Sequence, residues 1–197
     1  GWMGKLMVNG MNQGHAAVSD WGLSYFPDVP GAAHSMLADF GCGGGRNTAE
    51  LLKRFPEARV TALDYSKVAC DKTKQFNRNE VQAGRCNVVQ GDVSRLPFEA
   101  ATFDVITAFE TVYFWPGPVE SFQEVWRVLK PGGTFMIVNE SDGRNTKDEK
   151  WAGIIDGMRI FTQERLTQYL KDAGFSQIAA HVNRKQHWIC LLAEKAR

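Results

Sequence analysis

The sequence has few cysteines and no excess of charge of either sign. Its cysteines form no C-x-x-C pair, which argues against a zinc knuckle or a thioredoxin-type site: Cys42, Cys70, Cys86 and Cys190. So few cysteines in 197 residues also argue against a disulfide framework and indicate a reducing, cytoplasmic setting. Lys and Arg total 23 and Asp and Glu total 22, so the formal net charge is +1. We therefore expect no nucleic-acid partner, because such proteins usually carry a clear basic excess.

Long hydrophobic runs are also missing. No apolar stretch approaches the ~18–20 residues that a membrane span needs. The first residues, Gly1 to Lys5, show no basic segment leading into an apolar one, so we expect neither a signal peptide nor a membrane partner. His34, His181 and His187 have no spacing typical of metal ligands, so we expect no metal site. The length fits one domain, and nothing in the sequence indicates an oligomeric state.

What the sequence does contain is an alternation of short apolar runs and helical patterns. The runs predict five strands, at residues 35–40, 59–64, 87–90, 103–109 and 134–138. Helical spacing over 119–129 and 163–173, with Ser66 and Thr162 as N-caps, predicts intervening helices. Two further runs, 176–182 and 187–193, are joined by a short polar turn. The expected fold is a doubly wound, Rossmann-like α/β sheet, mostly parallel, with helices on both faces and an antiparallel strand in the C-terminal hairpin.

The first predicted strand ends in a glycine cluster. Gly41, Gly43 and Gly44 lack Cβ atoms, so a ligand can approach this backbone closely, although any tight strand-to-helix turn can use glycine. Asp64 ends the second strand about twenty residues later, where a carboxylate can accept hydrogen bonds from both ribose hydroxyls. The NAD pattern G-x-G-x-x-G fails at Arg46, and Asp39 would repel a pyrophosphate. A nucleoside that carries a sulfonium and an ammonium group suits this site better.

With these features the sequence resembles the class I S-adenosylmethionine-dependent methyltransferases over about residues 35 to 195. The resemblance rests on segments 38–45 (ADFGCGGG), 62–66 (ALDYS), 90–98 (QGDVSRLPF), 103–106 (FDVI) and 127–133 (RVLKPGG). It implies that Gly41 and Gly43 lie along the methionine moiety of the cofactor, and that Asp64 binds the ribose. The cofactor-binding residues expected from this resemblance are Asp39, Gly41, Cys42, Gly43, Asp64, Tyr65, Ser66, Gly91, Asp92, Val93 and Phe109.

Two of these cofactor assignments also have simpler interpretations. The resemblance implies that Tyr65 packs on adenine and that Asp92 accepts the adenine amino group, with Val93 lining the pocket. Tyr65 could equally be an ordinary rim aromatic, and Asp92 a turn-former or helix cap.

The acceptor side of the site is less well marked. Glu110 follows the fourth strand, at the edge of the sheet where the methyl group would point, and we hypothesise that it orients or deprotonates the acceptor. A solvated or helix-capping carboxylate is the alternative. His15 is a second candidate base, because its ordinary pKa is near neutral. The aromatic residues expected to wall the acceptor pocket, unless they belong to the core, are Trp21, Tyr25, Tyr113 and Trp115.

The predicted organisation is an N-terminal arm, 1–34, that closes over the cofactor of a methyltransferase domain, 35–197. The connection from Asn139 to Ile160 is short for a substrate domain, so we expect a small-molecule acceptor. Enzymes that methylate exocyclic amino groups of bases usually carry Asn/Asp-Pro-Pro-aromatic after the fourth strand, where this chain reads FETV. The alternatives that stay open are a non-catalytic S-adenosylmethionine-binding module and, less favoured, an NAD-dependent oxidoreductase.

Overall fold

The computed structural model of the protein describes residues 16–29, 34–145, 148 and 153–197. Its strands are β1 (Met36–Phe40), β2 (Arg59–Asp64), β3 (Cys86–Gln90), β4 (Phe103–Phe109), β5 (Leu129–Asn139), β6 (Gln177–Asn183) and β7 (Trp188–Glu194). Its main helices are α1 (Ala16–Leu23), α2 (Arg46–Arg54), α3 (Lys67–Phe76), α4 (Arg78–Gln82), α5 (Pro118–Val128) and α6 (Gln163–Asp172). A short 3₁₀ turn, Val112–Phe114, follows β4. Within these described ranges, no helix is both long and apolar enough to cross a bilayer.

The seven strands form one sheet in the order β3-β2-β1-β4-β5-β7-β6. Strands β1 to β5 pair in parallel, whereas β7 is antiparallel to both β5 and β6. The order reverses between β1 and β4, so the carboxyl ends of these strands border the crevice where such sheets bind ligands. The predicted mostly parallel, doubly wound sheet with an antiparallel C-terminal strand is confirmed.

Strand β5 begins five residues earlier than the sequence predicted. Leu129 already pairs with Phe103, and the register shifts before Val105 pairs with Thr134. The intervening Pro-Gly-Gly segment includes Gly132 at φ 77°, a backbone conformation that glycine adopts readily. A bulge in one strand therefore stands where the sequence pattern indicated a loop between helix and strand.

The core consists of two apolar layers, one on each face of the sheet. On one face, Phe122 of α5 packs against Phe135 of β5, with ring centroids 5.6 Å apart. On the other face, Val18 and Leu23 of α1 and Leu51 of α2 pack over the sheet. Both layers are closed to solvent, and the ends of the strands are therefore the places left for ligand contacts.

Helix α1 lies directly on the sheet. A Cβ atom at Gly22 would come within 2.5 Å of Val138 on β5, so the close approach requires glycine here. Asp20 of α1 forms a 2.7 Å ion pair with Arg46 at the start of α2. This part of the predicted arm packs as a helix of the fold, on a face of the sheet.

Candidate functional site

The loop between β1 and α2 has an open side created by one glycine. Gly41, Gly43 and Gly45 all have positive φ, at 81°, 53° and 86°. A Cβ at Gly41 would lie 2.1 Å from the Thr111 hydroxyl oxygen, and one at Gly45 would lie 2.9 Å from Thr73 Cα, so these two glycines serve packing. A Cβ at Gly43 would meet only a backbone oxygen 4.0 Å away. Gly43 therefore keeps the backbone open to a ligand.

Most amide N–H groups of this loop already donate within the protein, including that of Gly45 to the Cys42 carbonyl at 2.9 Å. Those of Gly41 and Cys42 both donate to the Leu63 carbonyl oxygen, at 2.7 and 3.1 Å. The Gly43 N–H donates to Asp64 Oδ2 at 3.0 Å. A loop that binds phosphate needs free N–H groups pointing at the anion. The N–H groups of Gly41, Cys42 and Gly43 are consequently not available to a pyrophosphate.

Asp64, at the end of β2, is held with spare hydrogen-bonding capacity. Besides the Gly43 amide on Oδ2, its Oδ1 accepts from the Ser66 N–H at 2.9 Å. Burial raises the pKa of this carboxyl above its ordinary value, and the backbone hydrogen bonds oppose that effect. Two carboxylate oxygens can accept about four hydrogen bonds. The Tyr65 N–H also donates to this carboxylate, so Asp64 has capacity for about one further hydrogen bond, which a ribose hydroxyl can supply.

Asp39 lies one residue before the end of β1 and is 1% exposed. Its Oδ2 accepts from the Thr48 hydroxyl at 2.7 Å, and its Oδ1 from the Thr107 hydroxyl at 3.3 Å. Burial raises the pKa of Asp39 to about 6, with a further increase from the charge of Asp64. The Thr48 N–H near the start of α2 also donates to this carboxylate. The helix N-terminus is thus already paired with an anion, and a cationic ligand above the loop would favour ionised Asp39.

Cys42 contributes backbone to the loop, while its side chain faces the protein interior. The Thr73 hydroxyl donates to Cys42 Sγ at 3.4 Å and to the Gly43 carbonyl at 3.1 Å. Asn77 Nδ2 donates to the Gly45 carbonyl at 3.0 Å and to that of Thr73 at 3.1 Å. The prediction that Cys42 contacts the cofactor is therefore restricted to its main chain. Sequence reasoning missed two buried residues outside the glycine motif, Thr73 on α3 and Asn77 directly after this helix.

Tyr65 and Asp92 lie at the carboxyl ends of β2 and β3, the adenine side of the expected site. The Tyr65 side chain is 78% exposed, so one ring face is available to a flat ligand. Asp92 is also exposed, and its Oδ1 accepts from both the N–H and the hydroxyl of Ser94, each at 2.8 Å. These bonds match the turn-forming interpretation of Asp92 and hold its carboxylate at the rim.

The other expected cofactor residues differ in what their side chains offer. Ser66 caps α3, because its hydroxyl accepts from the Ala69 N–H at 3.4 Å, as predicted. Val93 is 8% exposed and packs in the core layer under α5. Phe109 is 6% exposed and packs in the layer covered by α1 and α2, so its side chain belongs to the core. Gly91 packs closely, since a Cβ there would lie 3.1 Å from Leu63 Cδ1.

Glu110 connects the ends of β4 and β5. Its backbone has φ 58°, a left-handed conformation that is uncommon for residues other than glycine. Its N–H donates to the Val138 carbonyl at 2.9 Å, and its Oε1 accepts from the Glu140 N–H. The residue is 7% exposed, so it is not the solvated carboxylate considered as an alternative. The structure places this acid at the β4–β5 edge, beside the crevice.

Tyr113 and Trp115, expected as pocket walls, are core residues. Tyr113 is 2% exposed, and its hydroxyl accepts from the Ser141 N–H at 3.1 Å. Burial, followed by the charge of Glu110, raises the Tyr113 pKa well above its ordinary value. Trp115 is 3% exposed and stacks on Phe135 at 5.9 Å. The three residues 113–115 alternate between core and surface, and only Phe114, at 40% exposure, faces outward.

Trp21 and Tyr25 pack against the C-terminal hairpin. Trp21 lies 5.8 Å from the Trp188 ring, and Tyr25 stacks on His181 at 3.9 Å. This placement engages the two rings with β7 and β6. The physical reason is that α1 needs an apolar partner, and the hairpin supplies one. His15 lies outside the described residues.

The chain is similar in sequence to proteins named as methyltransferases. A family model described as a methyltransferase domain matches residues 38–137. Cycloartenol-C-24-methyltransferase 1 of Oryza sativa subsp. japonica is 34% identical over 153 residues, which cover 72% of this chain and 44% of that protein. Malonyl-[acyl-carrier protein] O-methyltransferase of Herminiimonas arsenicoxydans is 29% identical over 160 residues, 79% of this chain and 58% of that protein. The chain spans about half the length of these curated relatives.

Solved structures agree on the fold. A chain of the complex between the Haloferax volcanii Trm112 methyltransferase activator and a methyltransferase superposes with a TM-score of 0.86 at 18% identity, covering 100% of this chain and 96% of that one. Geranyl diphosphate C-methyltransferase from Streptomyces coelicolor A3(2), solved with S-adenosyl-L-homocysteine, superposes with a TM-score of 0.76 at 15% identity. That alignment covers 92% of this chain and 81% of the other.

Proposed function

Since the chain belongs to the methyltransferase-domain family, whose model matches half of its residues, we propose that it transfers a methyl group from S-adenosylmethionine to a small-molecule acceptor. The resemblance read from its motifs is thereby confirmed, and the cofactor is S-adenosylmethionine. The activity of the full protein and the identity of its acceptor are the proposed part, because the relatives extend well beyond the matched region.

The observation that carries this proposal is the open backbone at Gly43 between the two carboxylates of Asp39 and Asp64. The amides of Gly41, Cys42 and Gly43 are bonded inside the protein, and the charges of Asp39 and Asp64 near this loop are negative. A sulfonium nucleoside with an ammonium group complements these charges, whereas a dinucleotide pyrophosphate opposes them. The residues present therefore fit S-adenosylmethionine.

We assign a role to each of three carboxylates of the site: Asp64, Asp39 and Glu110. Asp64 accepts a hydrogen bond from a ribose hydroxyl, and Asp39 offsets positive charge beneath the loop. When bound, S-adenosylmethionine supplies a methyl group that its positive sulfur already activates. The protein then needs mainly to position the acceptor and exclude water, and positioning alone can lower a barrier by up to ~7–11 kcal/mol. Glu110 orients the acceptor or takes a proton from its nucleophilic atom where that atom carries one.

A small acceptor is favoured by the size of the connections. Residues 140–162, between β5 and α6, leave little chain for a separate substrate domain. The formal net charge of +1 lacks the basic excess that is typical of nucleic-acid-binding proteins. The relatives named for cycloartenol and geranyl diphosphate methylation act on small molecules, which agrees with this proposal. We also place the reaction in the cytoplasm.

The experiment is a screen for S-adenosylhomocysteine release over a metabolite library, together with calorimetry of S-adenosylhomocysteine and NAD⁺. Asp64→Asn is the test variant and is expected to lose affinity for S-adenosylhomocysteine. Asp71→Asn is the matched control, because Asp71 pairs with Lys67 on the exposed side of α3. Tight NAD⁺ binding would support the oxidoreductase alternative. Cofactor binding without release from any compound would support the non-catalytic module.

A further inference from the structure

Asn139 is a polar residue on a face of β5 where the neighbouring side chains are apolar. It is the last residue of β5, is 0% exposed, and pairs in the sheet with Ile189 of β7. Because side chains alternate along a strand, it shares a face with Phe135 and Ile137, which pack in the layer under α5. The strand therefore ends with a carboxamide at the carboxyl edge of an apolar face.

Among the described residues, the Asn139 carboxamide finds no hydrogen-bond partner. Neither its Nδ2 nor its Oδ1 meets a donor or acceptor in the described part of the chain, although both atoms are buried. A buried polar group left unpaired is destabilising, and native proteins pair the large majority of such groups. Packing therefore gives no reason for asparagine here, whereas valine or isoleucine would complete the apolar face.

The surroundings of Asn139 belong to the acceptor side of the site. The cofactor residues occupy the ends of β1, β2 and β3, and Glu110 closes the end of β4. The Glu110 carboxylate accepts from the N–H of Glu140, the residue that directly follows Asn139. The Asn139 carboxamide and the Glu110 carboxylate therefore lie next to the same stretch of backbone, at residues 139–140.

We propose that Asn139 is a specificity-determining residue whose carboxamide binds an uncharged hydroxyl or carbonyl group of the methyl acceptor. This inference rests on the function proposed above. The apolar neighbours Ile137 and Ile189 fit an acceptor that is apolar around this group. The carboxylate of Glu110, buried at the same edge, opposes an anionic acceptor, whereas that of Asp142 already pairs with His187 Nδ1 at 3.2 Å. Because Asn139 has no exposed surface, neighbouring side chains must move aside when the acceptor enters.

The test compares the wild type with Asn139→Val and Asn139→Ala. Val removes both polar atoms at nearly the same size, and Ala removes them with no risk of overpacking. Thr134→Val is the matched control, because Thr134 is a buried polar residue of the same strand, about 17 Å away at ~3.3 Å per residue. The acceptor panel contains neutral alcohols, phenols and ketones beside carboxylates and amines. S-adenosylhomocysteine release, its binding by calorimetry and the unfolding temperature are measured for every variant.

The proposal predicts that wild type turns over a neutral hydroxyl- or carbonyl-bearing compound. Both Asn139 variants should then lose about 10- to 100-fold in kcat/KM through a raised KM, with unchanged S-adenosylhomocysteine affinity. Asn139→Val should also unfold at a temperature about 2–6 °C higher, since it removes an unpaired polar group. Unchanged kinetics in both variants, or preference for an anionic acceptor, would overturn the inference alone. Wild-type chain that binds no S-adenosylhomocysteine or turns over no compound would overturn the proposed function, and this inference with it.

Discussion

The carboxyl group of Asp39 should make the unliganded protein less stable as the pH rises. Its pKa is about 6 in the folded chain against 3.8 for the ordinary group. A raised folded-state pKa contributes stability that is fully present below the unfolded value and is lost as pH passes the folded value. The gap corresponds to about 3 kcal/mol in full, of which about 2 kcal/mol is lost between about pH 4.5 and 7.5.

Asp39→Asn isolates this contribution, because the amide does not titrate in that range. Urea unfolding of wild type and variant at several pH values gives the difference in their free energies of unfolding. That difference should shift in favour of the variant by about 2 kcal/mol between about pH 4.5 and 7.5. Any change in the hydrogen bonds from Thr48 and Thr107 adds a constant offset and leaves the slope intact. Parallel curves for the two proteins would refute the reasoning that buried Asp39 titrates near pH 6.

Three further predictions concern the loop and its support. Gly41→Ala should unfold at a lower temperature than Gly43→Ala, because a Cβ at position 41 would collide with Thr111 and a Cβ at position 43 would not collide with any neighbour. Gly43→Ala should mainly lose affinity for S-adenosylhomocysteine, as measured by calorimetry. An equal loss of stability in the two variants would contradict this prediction. Asn77→Ala should cost about 1–3 kcal/mol in urea unfolding, since it removes two buried hydrogen bonds of about 0.5–1.5 kcal/mol each, and an unaffected midpoint would count against that role. Trp115→Ala should lower the free energy of unfolding by about 3–5 kcal/mol, because it truncates a core side chain. A loss under about 1 kcal/mol would instead favour the expectation that Trp115 lines the acceptor pocket.

Local sequence signals were sufficient to predict most of the fold. The predicted bounds of β2 and β4 agree with the structure at both ends, because each run is apolar, rich in β-branched residues and flanked by polar segments. Ser66 and Thr162 cap their helices as predicted, since a cap depends only on residues three positions away. The parallel order followed from the alternation of strands and helices.

The orientation of the aromatic residues could not be predicted in the same way. In sequence, Tyr113 and Trp115 closely follow Glu110, and Trp21 precedes the glycine loop. Each of the three side chains nevertheless packs against an element that is distant along the chain. Trp115 meets Phe135 on β5, and Trp21 meets Trp188 in the hairpin. A one-dimensional pattern contains no information on which of several apolar partners fills a given space.

The supporting polar residues were missed for a related reason. Thr73 on α3 and Asn77 directly after it bind carbonyls of the glycine loop that lie about thirty residues away along the chain. Asn139 carries one local signal, a polar residue that ends an apolar strand, but its lack of a partner is visible only in three dimensions. Sequence located the glycine loop and Asp64, while tertiary structure was needed to find the groups that hold the loop in place.

Calorimetric titration of the purified chain with S-adenosylhomocysteine and with NAD⁺ tests the central claim most directly. The occupied amides of the glycine loop, together with Asp39 and Asp64, predict saturable binding of S-adenosylhomocysteine and no measurable heat with NAD⁺. Saturable NAD⁺ binding, with no response to S-adenosylhomocysteine or S-adenosylmethionine, would contradict the account.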